Sequence, residues 1–353
     1  MNLKLLISFV AGVALLAAGL YLLNRSGSGP TDSDSTLQVL FEQATARDLA
    51  RLDIKPENEP VIILELDDSG IWRMPELNGL PVDFEKLSRL IDSLVDAEVS
   101  RLVTRNPERL DRLGLDQIRL SLSGADGETI LDVKLGDTSS SAGRYFQIHG
   151  DDAAYVLTQS LFIDEQADGW YEKNPLSFTA EEIQTLEIRW GEETLKVTRP
   201  DSETDFALSD QMGDAGSLNT PEIASFIDNL GRIRISNTHD RAGDIAMEAT
   251  EYITEVTLTP FEGGPIQLAY GRRPEKILPA EGAETEEEPE TEPAGPALVF
   301  LNHDEASQSP WAEASQSLAY EISSFTYERF ALEPEAFYLD EKEETEPVLD
   351  PAN

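Results

Sequence analysis

The stretch IRLSLSGADGETILDVKLG, residues 118–136, decides the fold of this chain. Apolar residues alternate with polar ones on both sides of a central turn that contains glycine, which is the pattern of two strands that bury one face. Strands joined by so short a turn pair antiparallel. The stretch ITEVTLTPFEGGPIQLAYG, residues 253–271, has the same pattern. We therefore predict antiparallel hairpins with one buried face in both halves of the chain.

An internal repeat is built around these two hairpins. Ahead of each hairpin, strands lead into a segment with apolar residues spaced i, i+3, i+4 and i+7, which predicts a helix with one apolar stripe facing a sheet. Asp83 is the predicted cap of the first helix, and Thr220-Pro221 begins the second. Each copy is predicted to contain three strands, a helix, four strands and a short helix. The matching stripes are Leu87, Leu90, Ile91 and Leu94 in the first copy and Ile223, Phe226, Ile227 and Leu230 in the second.

These elements predict an α+β fold, in which an N-terminal transmembrane helix precedes two tandem repeats of mostly antiparallel sheet, each covered by a helix. The boundary between the repeats is predicted near Thr179, because Thr179 and Glu182 have the spacing of a capping box. After Gly136 the first copy has a short loop, whereas the second copy has the segment from Arg272 to Pro296. The Glu, Pro and Ala residues of that segment predict disorder. The predicted segments are a cytoplasmic N-terminus (1–4), an anchor (5–23), a linker (24–44), the first repeat (45–178), the second repeat (179–340) with its acidic disordered loop (272–296), and an acidic tail (341–353).

The N-terminal apolar run predicts a membrane anchor. Leu5 to Leu23 carries no charge, and as a helix it would span about 28 Å of the roughly 30 Å hydrocarbon core. With Lys4 and the free amine before it, we predict a single-pass helix with its N-terminus inside. A cleaved signal peptide is the alternative, since Ala17 and Gly19 are small residues at a suitable spacing. Both interpretations place the body outside the cytoplasm. We predict the bacterial inner (cytoplasmic) membrane, with the body in the periplasm.

The composition restricts the possible partners and cofactors. The chain has 353 residues, a formal net charge of −41 and no cysteine. Disulfides, cysteine-ligated zinc, iron–sulfur clusters and a lipidated N-terminal cysteine are therefore excluded. A surface this negative repels nucleic acid and anionic lipid headgroups, and the sequence contains no basic patch that would offset it. The acidity itself favours solubility, with attraction of cations or of a basic partner as the alternative.

Several features recur together in this chain: the anchor, the strand end Trp72–Met74 with Pro75, the helix after it, the run from Asn106 to Asp116, Leu135-Gly136-Asp137 and Ala154-Tyr155-Val156. With these features the chain resembles a bacterial family of envelope proteins, the domain-of-unknown-function family 4340. The resemblance extends over most of residues 45–340 and is weaker in the second repeat. It implies a membrane-tethered accessory of a transport system, because genes of this family commonly accompany gliding-motility-type ABC transporter genes. It supplies no catalytic residues.

The histidines do not predict a catalytic site. His239 and His303 each precede an Asp, but adjacent residues rarely face each other as a base and its orienting carboxylate. We interpret both segments, and the segment around His149, as solvated turns. We predict no catalytic, cofactor-binding or metal-binding residue.

Two further motifs are interpreted as turns. Residues 136–144 loosely resemble a phosphate-binding loop, but a strand rather than a helix follows, so a hairpin loop is predicted. Asp67 to Gly70 and Asp32 to Asp34 lack the ligand register of a calcium loop. The first is interpreted as a tight turn and the second as part of a linker.

The tryptophans are interpreted mainly as core residues. Trp72, Trp170 and Trp190 lie at the ends of predicted strands or helices, where packing is their expected role. Trp311 lies in the polar segment SQSPWAEAS. It is therefore the best candidate among the four for an exposed contact, although packing is favoured for it too.

The anchor, the duplicated scaffold and the resemblance favour a non-enzymatic, membrane-anchored accessory of an ABC-type transport or gliding-motility-like system. Its expected partners are ABC transporter subunits or another envelope protein, with membrane contact through the N-terminal helix. No cofactor and no nucleic acid are expected. The alternative is an extracytoplasmic module that binds a sugar, peptide or cation in a groove between the repeats. An envelope hydrolase without a sequence signature is disfavoured.

Overall fold

Alternating apolar residues build a ten-stranded sheet in the first repeat. The computed structural model describes residues 38–41, 46–139, 143–209, 218–277, 291–303 and 309–339. Leu52 pairs with Leu122 and Ile54 with Leu120 across antiparallel strands, and all four side chains are buried. The sheet therefore buries one face, as its period-2 pattern predicts. In chain order the strands are β1 (Gln38–Val39), β2 (Leu49–Pro56), β3 (Ile62–Leu66), β4 (Trp72–Met74), β5 (Leu80–Pro81), β6 (Glu98–Thr104), β7 (Ile118–Gly124), β8 (Thr129–Thr138), β9 (Arg144–Ile148) and β10 (Ala154–Leu157).

The second repeat forms an eight-stranded antiparallel sheet with a matching strand order. Its strands are β11 (Ile183–Trp190), β12 (Glu193–Thr198), β13 (Ala207–Leu208), β14 (Ile235–Asp240), β15 (Ile253–Pro260), β16 (Ile266–Gly271), β19 (Ala297–Asn302) and β20 (Leu318–Ile322). The first sheet runs β1-β6-β10-β9-β8-β7-β2-β3-β4-β5, and the second runs β14-β20-β19-β16-β15-β11-β12-β13 when started from the equivalent edge. Every strand of the second sheet thus has a counterpart at the same place in the first.

One helix in each repeat contributes the predicted apolar stripe to the core. Leu87, Leu90 and Leu94 are buried in the first helix, and the whole stripe of the second is buried. Asp83 caps the first helix as predicted, by accepting a hydrogen bond from the Lys86 backbone N–H. The second cap is Asn219, one residue before the predicted start. The helices are α1 (Phe84–Val95), α2 (Pro107–Leu110), α3 (Thr220–Leu230), α4 (Asp244–Thr250) and α5 (Ser324–Tyr327); short 3-10 turns cover Pro75–Leu77, Ala167–Gly169, Ala180–Glu182, Ala314–Gln316 and Pro334–Phe337.

The C-terminal segment of each repeat returns to the start of its helix in the same way. The backbone N–H of Asp83 donates to the carbonyl of Trp170 at 2.8 Å, and that of Asn219 donates to the carbonyl of Phe337 at 2.9 Å. Isolated bridges one residue away join Val82 to Tyr171 and Leu218 to Tyr338. The repeat is therefore longer than the strand pattern alone indicates, and it ends on a buried aromatic residue in both copies.

The repeats share one apolar core. From Val39 onward the described residues belong to a single compact unit, and one cluster of buried apolar side chains extends through both sheets. At the predicted boundary, the Thr179 backbone N–H donates to Glu182 Oε2 at 2.7 Å, so the predicted capping box is present. A mostly antiparallel α+β fold is thus what the described residues show.

Several predicted segments lie outside the described residues. These include the anchor (5–23), the region around Asp32 to Asp34, and the acidic tail (341–353). Among the residues that are described, no helix is both long enough and apolar enough to cross a membrane.

The acidic segment 272–296 has an ordered base. Strands β17 (Lys276–Ile277) and β18 (Thr291–Glu292) pair antiparallel as a short ribbon. The guanidinium of Arg273 holds this base, with Nη2 3.0 Å from Glu292 and Nε 2.9 Å from Glu248 on α4. The prediction of disorder is therefore wrong for residues 272–277 and 291–296, and residues 278–290 lie outside the described part of the chain.

Candidate functional site

The second repeat contains an insertion that reaches the first repeat. Residues 149–153 join β9 to β10, whereas residues 303–317 join the equivalent strands β19 and β20. We call residues 309–317 the strap. The Pro310 carbonyl accepts a hydrogen bond from Arg73 Nη1 at 2.8 Å, and the Glu313 carboxylate lies 3.3 Å from Arg73 Nε. The strap therefore meets strand β4 of the first repeat.

Trp311 anchors the strap to its own repeat. Its side chain is only 3% exposed and packs edge-on against Tyr320, with ring centroids 5.4 Å apart. The Tyr320 hydroxyl and Ser315 Oγ form a buried 2.9 Å hydrogen bond, and Arg241 donates to the Ser315 carbonyl at 2.6 Å. Packing, the favoured interpretation of Trp311, is therefore confirmed, and the alternative of an exposed contact is wrong.

Arg73 is one of the residues through which the two repeats contact each other. Its side chain is 12% exposed. Besides its contacts to the strap, Nε pairs with Asp67 Oδ2 at 2.5 Å and Nη1 donates to the Gly79 carbonyl at 3.0 Å. A guanidinium presents its donors in a fixed plane. Arg73 thus fixes the β3–β4 turn, the Gly79 turn and the strap relative to one another.

Asp67 is held ionised by the turn that it forms. Its Oδ1 accepts hydrogen bonds from the backbone N–H groups of Ser69 and Ile71 at 2.8 and 2.9 Å. Partial burial opposes ionisation, but the hydrogen bonds from Ser69, Ile71 and Arg73 outweigh it. Together with the charge of Arg73, they lower the pKa of Asp67 from its ordinary value of 3.8 to about 2. The carboxylate that faces Arg73 therefore keeps its charge in mildly acidic solution.

Replacing Asp67 by Asn is expected to remove a pH-dependent contribution to stability. The folded-state pKa is depressed, so this contribution is present above pH 4 and is lost as the pH falls toward 2. We expect wild type to exceed D67N by about 1–2 kcal/mol in unfolding free energy at pH 7, a figure reduced for solvent screening. The difference should shrink toward zero between pH 4 and pH 2. Urea unfolding of both proteins across this range measures it, and a pH-independent difference would contradict the assignment.

Gly79 lets the strap approach the first repeat. Its φ is +72°, and a Cβ there would lie 2.9 Å from Cδ of Glu313. The preceding residue, Asn78, also has a left-handed backbone with φ of 53°, a conformation that Asn tolerates better than most residues. The sharp turn after the 3-10 helix therefore leaves room for the Glu313 carboxylate.

A groove of about 500 Å³ lies between the β3–β4 region of the first repeat and the strap of the second. Its volume falls within the range of small-molecule sites. The described residues that line it supply three carboxylates and one guanidinium, together with amide and hydroxyl groups. The groove is lined by Glu65, Leu66, Asp67, Arg73, Pro75, Asn78, Gly79, Glu313, Gln316 and Ser317.

Part of one wall of this groove lies within a recognised family domain. The family model described as Domain of unknown function (DUF4340) matches residues 72–252. The chain belongs to this family. The resemblance seen in the sequence is thereby confirmed. A search of curated proteins and a search of solved structures each returned no match.

The DUF4340 match covers only part of the groove. Arg73, Asn78 and Gly79 lie inside the matched range, whereas Glu65, Asp67 and the strap lie outside it. The description of the family names no activity, so the properties of the groove must be argued from its own side chains.

The three histidines occupy separate places in this DUF4340 protein. His149 is exposed in the turn after β9, as predicted. His239 lies within strand β14, so the turn predicted for it is wrong. Its Nε2 is 2.7 Å from Oε2 of Glu321 on the neighbouring strand. The alternation IxNxH along an edge strand was the available signal for this placement. His303 follows β19 directly.

The other sequence motifs are structural in the described part of the chain. Asp67 to Gly70 forms the predicted tight turn, with Gly70 at φ +82°, and Thr138 pairs with Arg144 across the predicted hairpin of β8 and β9. Trp170 is buried, and Trp72 and Trp190 pack against the core as predicted. Among the described residues, no group of three or more His, Asp or Glu side chains is placed to hold a metal ion.

Proposed function

We propose that this chain is a non-enzymatic, membrane-anchored envelope protein that serves as an accessory of an ABC-type transport or gliding-motility-like system. In this proposal the N-terminal helix lies in the bacterial inner membrane and the two repeats work in the periplasm. Membership of the DUF4340 family supports the proposal, because the resemblance that led to it implies a transport accessory.

The junction of the two repeats is the observation that favours a role in positioning a partner protein. Arg73 and the strap join two sheets of the same strand order into one compact unit. Such a body offers a large surface in a fixed arrangement. A protein that positions a partner beside a membrane complex needs this property, because preorganised surfaces lose less entropy on binding.

Affinity capture of the full-length protein from detergent-solubilised membranes tests this proposal. We expect ABC permease and ATPase subunits to be recovered, as identified by mass spectrometry. A matched variant should replace Leu5 to Leu23 with an unrelated anchor of equal length. If recovery is lost in this variant, the helix makes the contact; if it persists, the repeats do. Repeated capture without any transporter subunit would overturn the proposed partner.

A second candidate function is ligand binding in the groove. The specific observation in its favour is a cavity of about 500 Å³ whose walls come from different repeats and carry several polar side chains. This function is compatible with a transport accessory, since a periplasmic ligand could act through the same body.

A further inference from the structure

The groove contains more hydrogen-bond acceptors than its own donors satisfy. Its three carboxylates face one guanidinium among the described lining residues, which leaves an excess of two negative charges. The positive charge of Arg73 is offset within the groove, because its Nε and Nη1 already contact two carboxylates and two carbonyls. The site is therefore built to receive a donor rather than an acceptor.

Glu65 and Glu313 carry the excess charge on opposite walls. Glu65 shares Arg51 with Asp53, since Arg51 donates to Glu65 Oε1 and, at 2.8 Å, to Asp53 Oδ1. One guanidinium thus serves two carboxylates. Glu313 is 64% exposed, and its Oε2 lies 3.3 Å from Arg73 Nε. Each glutamate retains an oxygen that can accept a hydrogen bond from a ligand.

We infer that the groove binds a cationic group, an ammonium or a guanidinium, between Glu65 and Glu313. This inference rests on the second proposed function, ligand binding in the groove. Of the sugar, peptide and cation that the sequence left open, a cation, free or on a basic peptide side chain, best matches two carboxylates with spare acceptors. Charge-assisted hydrogen bonds to carboxylates are stronger than neutral ones. The net charge of −41 also raises the local concentration of cations.

The ligand chemistry has two possible sources, a free polyamine or a basic side chain on a partner protein. Spermidine represents the first, and the peptide Gly-Lys-Gly-Lys-Gly the second, with its Nε-acetylated form as the neutral control. Binding should be measured by calorimetry on the full chain in a neutral detergent. We expect saturable binding to at least one cationic probe and none to the acetylated peptide. The better-bound probe identifies the source.

A pair of charge-matched variants separates a site from general attraction. E65Q/E313Q removes the two groove charges, whereas E192Q/E262Q removes two exposed charges elsewhere. We expect the dissociation constant to rise about tenfold or more in E65Q/E313Q and to stay within about twofold in E192Q/E262Q. Equal weakening in both variants, or no saturable binding to wild type, would overturn the inference. Circular dichroism shows whether both variants fold.

Failure of this inference is distinguishable from failure of the accessory role. Affinity capture of E65Q/E313Q from membranes reports on transporter contact independently of cation binding. A variant that no longer binds either probe but still recovers the transporter subunits would support both proposals and assign them to different surfaces.

Discussion

Replacing Gly136 by Ala is expected to destabilise the protein by about 3 kcal/mol. Gly136 lies in strand β8, and a Cβ there would lie 2.1 Å from the Leu113 carbonyl oxygen, far closer than two such atoms can approach. That oxygen accepts the Asp137 backbone N–H at 2.8 Å. The clash cannot be relieved by a rotamer change, because the obstacle is backbone held by a hydrogen bond. Forcing atoms into packed space costs about 1–3 kcal/mol, occasionally more, and this site is at the upper end.

The second repeat and an open glycine provide matched controls for this prediction. Gly271 is the counterpart of Gly136, and a Cβ there would lie 2.5 Å from the Ala249 carbonyl oxygen. G271A should therefore destabilise by a similar amount. At Gly264 an added methyl group would meet no heavy atom within 4 Å, and the backbone φ is not positive, so G264A should change stability by less than about 1 kcal/mol. Urea unfolding of the three variants measures their unfolding free energies. A small loss of stability for G136A would contradict the close approach of Gly136 to the Leu113 carbonyl.

The repeat could be predicted from the sequence because it depends on local patterns. Strands such as β7 and β8 and their counterparts β15 and β16 show period-2 alternation over adjacent residues, and α1 and α3 show a helical stripe. Such patterns depend on neighbours in the chain. The sequence also shows glycines at equivalent positions, 136 and 271, but not why glycine is needed there. The need arises from a carbonyl group that lies close to each glycine and precedes its hairpin in the chain.

A groove between the repeats was expected, but the residues that line it could not be predicted in the same way. Arg73 and Pro310 are 237 residues apart in sequence, and nothing in their local surroundings marks them as partners. The only available signal was Trp311, an aromatic residue in a polar segment, which indicates a point of attachment without showing to what. The missed His239 placement has a similar cause, since an edge strand with polar residues on both faces resembles a turn.

The strap distinguishes the second repeat from the first. Repeats that evolve a contact with each other need residues that a free repeat lacks. The strap provides such a contact, and the equivalent connection of the first repeat, residues 149–153, is shorter. The groove is therefore a property of the pair of repeats and not of either repeat alone, which is why repeat-level patterns do not reveal it.

Replacing Arg73 by Ala is expected to destabilise the protein by about 2–4 kcal/mol. The truncation leaves the partly buried Asp67 carboxylate without its cation and removes the donors to the Gly79 and Pro310 carbonyls. Removing one partner of a buried ion pair costs about 3–5 kcal/mol, and the partial exposure of Asp67 lowers this figure. Chemical unfolding measures the loss, and hydrogen exchange should show faster exchange in the strap.

The control for R73A is an arginine whose ion pair is open to solvent. Arg89 pairs with Glu85 one helical turn away at 3.0 Å, and both side chains are mostly exposed. R89A should therefore cost less than about 0.5 kcal/mol. If R73A were equally mild, the contacts of Arg73 would not hold the repeats together, and the walls of the groove would be set by the apolar core alone. A large loss for R73A with protected exchange at Trp311 would instead mean that the strap stays attached to its own repeat while it separates from the first.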